Sequence, residues 1–192
     1  MLFASFTTFA YNDVEADANY APAVEVLSAL EILKGDDKGN FNPDNTITRA
    51  EAAAVIVRTL GWEEAAKGAA GATQFTDVPA DHWAAGYINI ATEAKIIKGY
   101  GDGKFGPNDL VEYQDAITMM VRALGYEPAI GAAGYPTGYL TKAGELGLTT
   151  NVNGTNGVAI NRANVVQMAF NALDVPTMSQ SGFGTLTNYV IN

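Results

Sequence analysis

Thr48, Arg49 and Glu51 stand together at the front of the segment ITRAEAAAVIVRTLG, residues 47–61. A threonine followed three residues later by a glutamate is a capping box, in which the hydroxyl accepts from one helix-terminal amide and the carboxylate reaches back to another. That accounts for Thr48 and Glu51 without any ligand. Arg49 is different, because a cation in a first helical turn sits against the positive end of the helix dipole. Arg49 is therefore the residue whose role helix formation leaves open. Other reactive types are sparse. His82 is the only histidine and the chain has no cysteine, so a zinc site or a Cys-His or Ser-His-Asp arrangement has no support. Beside Trp83, His82 is expected to be structural or to line a groove, and Trp83 to be a packed anchor rather than a sugar platform. The loops GDDKGNFNPDN and GYGDGKFGPND are acidic, yet neither follows the order of an EF-hand calcium loop. Their Gly-x-Gly fragments follow a helix rather than a strand, which a nucleotide fingerprint does not.

The composition bounds what such residues can serve. The chain has 192 residues, 48% of them hydrophobic and 17% charged, which places it among folded proteins. A net charge of −10 with only 11 Lys and Arg excludes nucleic acid as partner, and an anionic ligand would need a local exception to that field. No cofactor and no metal are expected. MLFASFTTFA (1–10), with Thr8 and Ala10 before acidic YNDVEAD, reads as the remnant of a signal peptide, so export is expected. No run has the length of a membrane span, and no membrane insertion is expected.

The elements that position Arg49 come in copies. YNDV (11–14) is answered by FTDV (75–78), and the same offset of 64 carries Gly35 to Gly99, Phe41 to Phe105, Arg58 to Arg122 and Gly61 to Gly125. ELGLTT (145–150) stands for LEILKG and AKIIKG, and INRANVVQMAFNAL (160–173) matches ITRAEAAAVIVRTL at an offset of 113. Each copy predicts a first helix ending at a C-cap glycine, Gly35 or Gly99, then a polar loop anchored by Phe41 or Phe105, then a second helix. The second helices carry apolar stripes: Ala53, Ile56, Val57, Leu60; Ile117, Met120, Val121, Leu124; and Val166, Ala169, Phe170, Leu173. One such unit buries too little to stand alone. The expectation is an all-α fold in which three helix-loop-helix repeats form a pseudo-threefold spindle around a central three-helix bundle. The repeats span 11–61, 75–125 and a divergent 134–175. Ala/Gly-rich linkers at 62–74 and 126–133 are expected to be long enough to let each copy swing to the next position, and a strand-like tail at 176–192 to lead to a further region.

FTDVPADHWA, IIKGYGDGKFGP and ITRAE in this order resemble the S-layer homology module of bacterial surface proteins. The resemblance covers about residues 11–175. It implies a non-catalytic, helical, three-lobed module of mainly Gram-positive bacteria, secreted and held at the cell wall or S-layer. It further implies binding to secondary cell-wall polysaccharide, an anionic glycan often carrying ketal-pyruvate. Arg49 belongs to the binding motif, and a ketal carboxylate would pair with its guanidinium and with the free amides of the helix N-terminus. An arginine paired with a neighbouring carboxylate, Glu51 or Asp44, is the structural alternative.

The copies depart from the motif. VEYQD (111–115) puts Tyr113 in place of the arginine and Glu112 in place of the capping threonine, so this site is not expected to bind in the usual way. INRAN keeps a cap in Asn161 and a cation in Arg162, and replaces the glutamate by Asn164. The expected polysaccharide-binding residues are Arg49, Arg162, Thr48, Glu51, Asn161, Gly35, Gly99, Tyr100, Asp102, His82 and Trp83. The alternatives to a plain wall anchor are the anchor fragment of a surface-bound enzyme such as a glycoside hydrolase, and a protein-binding surface module. S-layer self-assembly would run through the region beyond Asn192.

Overall fold

The computed structural model describes residues 11–181 and 188–192; the expected signal-peptide remnant lies outside them. Each repeat contributes a short first helix and a longer second one. The first helices are α1 (Ala21–Ala29), α4 (Ala85–Glu93) and α6 (Thr137–Glu145); the second are α2 (Arg49–Thr59), α5 (Tyr113–Ala123) and α7 (Arg162–Ala172). α2 opens on the capping box, with the Thr48 amide donating to Glu51 at 2.8 Å and the Glu51 amide to the Thr48 hydroxyl at 3.3 Å. α7 opens on Asn161, which accepts from the Asn164 amide at 3.0 Å, while α5 starts at Glu112 with no side-chain cap.

The first helices end earlier than the glycines foretell. The left-handed residues that stop them are Glu31 and Lys95, both at φ 60°, and Gly147 at φ 74°. Behind each stop the chain folds back through one backbone bond, Ile32 to Leu27, Ile96 to Ala91 and Leu148 to Ala143, each 2.9 Å. The αL conformation costs a side-chain residue about 1–2 kcal/mol, a strain these bonds and the buried Ile32, Ile96 and Leu148 offset. The stops also shift the third copy by one residue, so that LGLTTN (146–151) is the counterpart of LEILKG. Gly35 and Gly99 are required for another reason. A Cβ on Gly35 would lie 2.2 Å from the Tyr11 ring, and one on Gly99 2.5 Å from the Phe75 ring.

The polar loops are clamped rather than loose. Asp13 of YNDV accepts from the Phe41 and Asn42 amides at 2.7 Å each, and Asp77 of FTDV from the Phe105 and Gly106 amides at 2.8 Å each. Phe41 and Phe105 are fully buried beneath them, and each ring stabilises its loop by about 1.5–3 kcal/mol. The first linker is itself structured. It forms α3 (Glu63–Gly68), which packs on α4 so closely that a Cβ on Gly86 would meet the Ala66 carbonyl at 1.9 Å. The second linker contains a 3-10 turn at Glu127–Ala129. Alanine-rich sequence favours helix as much as flexibility, and here packing against the next repeat decides.

α2, α5 and α7 touch one another pairwise, and their stripes are buried except toward the far end, where Leu60 and Phe170 are half-buried and Leu173 is 38% exposed. Each first helix packs on the second helix of the preceding repeat: α4 on α2, α6 on α5 and α1 on α7. Ahead of the second helices the backbone closes a ring. Val111 donates to Ile47 at 3.0 Å, Ile47 to Ile160 at 3.3 Å and Ile160 to Val111 at 2.9 Å. All three side chains are buried, so these are dry bonds whose breakage would strand polar groups. The mostly helical chain ends in an antiparallel hairpin of β1 (Met178–Ser181) and β2 (Asn188–Ile191), tied to α5's end by Met178 N donating to Leu124 O at 2.8 Å.

Candidate functional site

The cyclic packing carries the first turn of each second helix over the loop of another repeat. Arg49, from the first repeat, lies over the second. Its Nε donates to the Phe105 carbonyl at 2.8 Å and its Nη2 to the Lys98 carbonyl at 2.9 Å. The guanidinium also sits 4.7 Å from the Phe105 ring centre and 4.9 Å from that of Tyr100. Arg162, from the third repeat, does the same over the first: Nε to Phe41 O at 2.9 Å, Nη2 to Lys34 O at 3.2 Å, and 5.3 Å from the Phe41 ring. Bonds from a charged fork to two carbonyls fix the plane of each guanidinium. Among the described residues Arg49 has no carboxylate partner, so the alternative of pairing with Glu51 or Asp44 does not hold. Glu51 instead approaches Arg162, at 3.7 Å.

Two clefts result. The first, of about 230 Å³, is lined by Lys34, Glu51, Arg58, Trp83 and Arg162 among others. The second, of about 280 Å³, is lined by Lys98, Tyr100, Asp115, Arg122, Tyr135 and Arg49 among others. They are built alike. Lys34 and Lys98 come from the loops, Arg58 and Arg122 from the last turn of α2 and α5, and Trp83 and Tyr135 from two residues before α4 and α6. Six of the 11 lysines and arginines of a chain with net charge −10 thus face two clefts. This is the local exception that an anionic ligand needs.

Arg58 and Arg122 are held from behind. Arg58 pairs with Glu63 at 3.0 Å and donates to the Tyr87 hydroxyl at 2.6 Å, which in turn donates to Glu63 at 2.7 Å. Arg122 pairs with Glu127 at 2.9 Å and meets the Tyr139 hydroxyl at 3.1 Å, and that hydroxyl donates to Glu127. Burial pushes the Glu63 and Glu127 carboxyls up, but the tyrosine and arginine bonds outweigh it and leave both below the usual range. Tyr87 and Tyr139 are raised by burial and by donating to those carboxylates.

The helix amides are not available to a ligand, contrary to expectation. In α2, Arg49 N and Ala50 N donate to Asp109 O and Pro107 O at 2.9 and 3.1 Å; in α7, Arg162 N and Ala163 N donate to Asn45 O and Pro43 O at 2.9 and 3.0 Å. The bonds that seat the helices on the neighbouring loops consume them. Any anion must therefore be met by side chains.

The expected site residues divide. Arg49, Arg162, Glu51, Gly99, Tyr100 and Trp83 come to the two clefts, and Asn161 lines a separate one. Trp83 is 56% exposed over the first cleft and not a packed anchor, because α4 packs on α2 and leaves the ring outside. His82 stacks on Trp83 and accepts the Ala84 amide through Nδ1 at 3.1 Å, a helix-start role. Thr48 is occupied as a cap, Gly35 seats Tyr11, and Asp102 accepts the Lys104 amide at 3.0 Å away from either cleft lining. Lys34, Lys98, Arg58, Arg122, Asp115 and Tyr135 were not among the expected residues. The recurrence of Arg58 as Arg122, and of Lys34 as Lys98, at the offset of 64 is the signal that could have found them.

Among the described residues no helix is long and apolar enough to cross a membrane, and no three His, Cys, Asp or Glu are grouped to hold a metal. Residues 10–53 and 74–117 match the model of the S-layer homology domain. The chain is 38% identical over 185 residues to a "Middle cell wall protein" of Brevibacillus brevis, covering 96% of this chain and 17% of that protein. It is 41% identical over 169 residues to a "Surface layer protein" of Brevibacillus choshinensis, covering 88% and 15%. To a "Cell surface protein" of Thermoanaerobacter kivui it is 39% identical over 175 residues, covering 91% and 22%. The chain therefore spans less than a quarter of the length of these relatives.

Proposed function

Residues 10–53 and 74–117 belong to the S-layer homology family, and from that premise we propose that the chain is a non-catalytic anchor holding a secreted surface protein to the cell wall. Residues 134–175 act as a third repeat, and the ring through Ile47, Val111 and Ile160 supports that reading. The ligand is secondary cell-wall polysaccharide carrying an anionic group such as ketal-pyruvate. One observation carries the proposal: six cations converge on two clefts of an otherwise acidic protein.

The chemistry is charge-assisted and preorganised. A pyruvate carboxylate entering the second cleft meets the Lys98 ammonium and the Arg122 guanidinium, and Arg49 Nη1, which makes no hydrogen bond among the described residues. The aromatic faces of Tyr100 and Tyr135 flank the sugar ring. In the first cleft Lys34, Arg58, Arg162 and Trp83 take the same parts. Because the guanidinium planes are set before binding, little side-chain entropy is lost on contact.

Co-sedimentation with cell walls before and after removal of their polysaccharide tests the proposal. Binding should vanish on stripping and collapse in Arg49→Ala/Arg162→Ala. Since both arginines also bond the backbone, Lys34→Ala/Lys98→Ala is the companion, because Lys34 is 61% exposed and its loss leaves the fold intact. A folded lysine variant that binds unchanged, or stripped walls that hold the protein equally well, would sink the reading.

A further inference from the structure

A third cleft, of about 150 Å³, lies where the third repeat meets the first, lined by Asn19, Asp44, Asn151, Asn153, Asn161 and Asn164 among others. It is a counterpart of the two cationic clefts only in part: Asn19 and Asn164 line it, whereas the residues aligned with the lysines and arginines, Thr150, Asn171 and Tyr113, lie outside its lining. Asn19 stands two residues before α1, where Trp83 and Tyr135 stand before α4 and α6. Asn164 replaces Glu51 and Asp115 in the first turn of the second helix. Asn171 replaces Arg58 and Arg122, and its amide donates to Leu148 O and Thr150 O at 3.0 and 2.8 Å. Thr150 takes the place of Lys34 and Lys98. Tyr113 takes that of Arg49 and Arg162, with its ring so close to Gly154 that a Cβ there would approach it to 2.0 Å.

The amides that remain in the cleft are of two kinds. Asn161 and Asn164 are fixed to each other at 2.7 Å, and Asn164 also accepts the Asn153 amide. The side chains of Asn19, Asn151 and Asn153 make no hydrogen bond among the described residues. An amide offers two donors and an acceptor and suits a hydroxyl or an N-acetyl group equally well. A carboxylate entering here would meet the Asp44 carboxylate and no lysine or arginine in the lining, so an anion is disfavoured.

We propose that this third cleft binds an uncharged sugar residue, by hydrogen bonds from Asn19, Asn151 and Asn153 to its hydroxyl and N-acetyl groups. The inference rests on the glycan reading above and gives that reading a second specificity: two clefts select a charged sugar and one a neutral sugar.

The test is an NMR titration of the whole chain, following asparagine side-chain amides, with the methyl glycoside of N-acetylglucosamine and with the same sugar carrying a pyruvate ketal. The neutral probe should shift the Asn19, Asn151 and Asn153 amides, and Asn19→Ala/Asn153→Ala, two exposed substitutions, should weaken that binding at least tenfold. The same variant should leave the pyruvate ketal probe's binding unchanged. If the neutral probe leaves these amides unmoved, or the pyruvate ketal probe shifts them as strongly as residues beside Arg49, the inference is overturned. Should the ketal probe ignore both cationic clefts while the neutral one still occupies the third, the proposed function fails in its anionic part and the present inference stands.

Discussion

In the second cleft Arg49 reaches across from another repeat, with Lys98 and Arg122 beside it; where the third repeat meets the first, the aligned residues are Tyr113, Thr150 and Asn171, outside the lining of the third cleft. The backbone beneath scarcely registers the exchange. Tyr113 N donates to Val158 O at 2.9 Å, as Arg49 N does to Asp109 O and Arg162 N to Asn45 O. α5 even begins in register without a side-chain cap. The difference teaches that in this fold helix placement rests on main-chain bonds and on buried Ile47, Val111 and Ile160, whereas ligand choice rests on side chains that the main chain does not need. Arg49 and Arg162 are the partial exceptions, because they serve both.

That double role gives the largest expected effect. Arg49→Ala leaves the buried Phe105 carbonyl and the part-buried Lys98 carbonyl without their side-chain donor, so urea denaturation should show a loss of about 2–3 kcal/mol, along with lost binding in the second cleft. Tyr113→Arg/Thr150→Lys/Asn171→Arg sharpens the comparison from the other side. It should supply the missing cations where the third repeat meets the first, raising the calorimetric stoichiometry for a pyruvylated glycan from two to three; an unchanged stoichiometry would mean that charge placement is not what separates these places.

The caps come next. Thr48→Ala should cost about 1 kcal/mol in chemical denaturation, and Glu112→Thr should add about 0.5–1 kcal/mol, bringing α5 level with α2. The smallest effect is a pH dependence. Glu63 and Glu127 have folded values below the usual carboxylate range, so the stability they add is present above the unfolded value of about 4.3 and fades as pH falls through the folded values. The fall in Tm between about pH 5 and pH 3 should therefore be shallower in Glu63→Gln/Glu127→Gln. The third repeat, with Asn171 in place of the arginine, adds nothing to it.

What could be read from the residues alone was local. The capping box at Thr48, the Asn161 cap, the stripes of α2, α5 and α7 and the loop anchors Phe41 and Phe105 are patterns within a few residues, and the structure has them. Helix stops at Glu31 and Lys95 were hidden, because the left-handed conformation there is imposed by packing and not by residue type. α3 was hidden because nothing in EEAAKG announces the Gly86 surface against which it orders. The two cationic clefts were the least legible, since each draws on all three repeats. Arg49 could be singled out by its quarrel with its own helix, but that Trp83 would share a cleft with Arg58, and Tyr135 one with Arg122, depends on which helix packs on which.

The ring of Ile47, Val111 and Ile160 has a consequence for biogenesis. Its last member is more than a hundred residues from its first, so the loop cannot close until the third repeat has left the ribosome and, in an exported protein, crossed the membrane. A nascent chain carrying only its first repeat holds Arg49 without the Phe105 and Lys98 carbonyls that orient it, and so lacks the formed cleft that the proposed glycan binding needs. The proposed adhesion is thereby delayed until the polypeptide has arrived at the place where it is wanted.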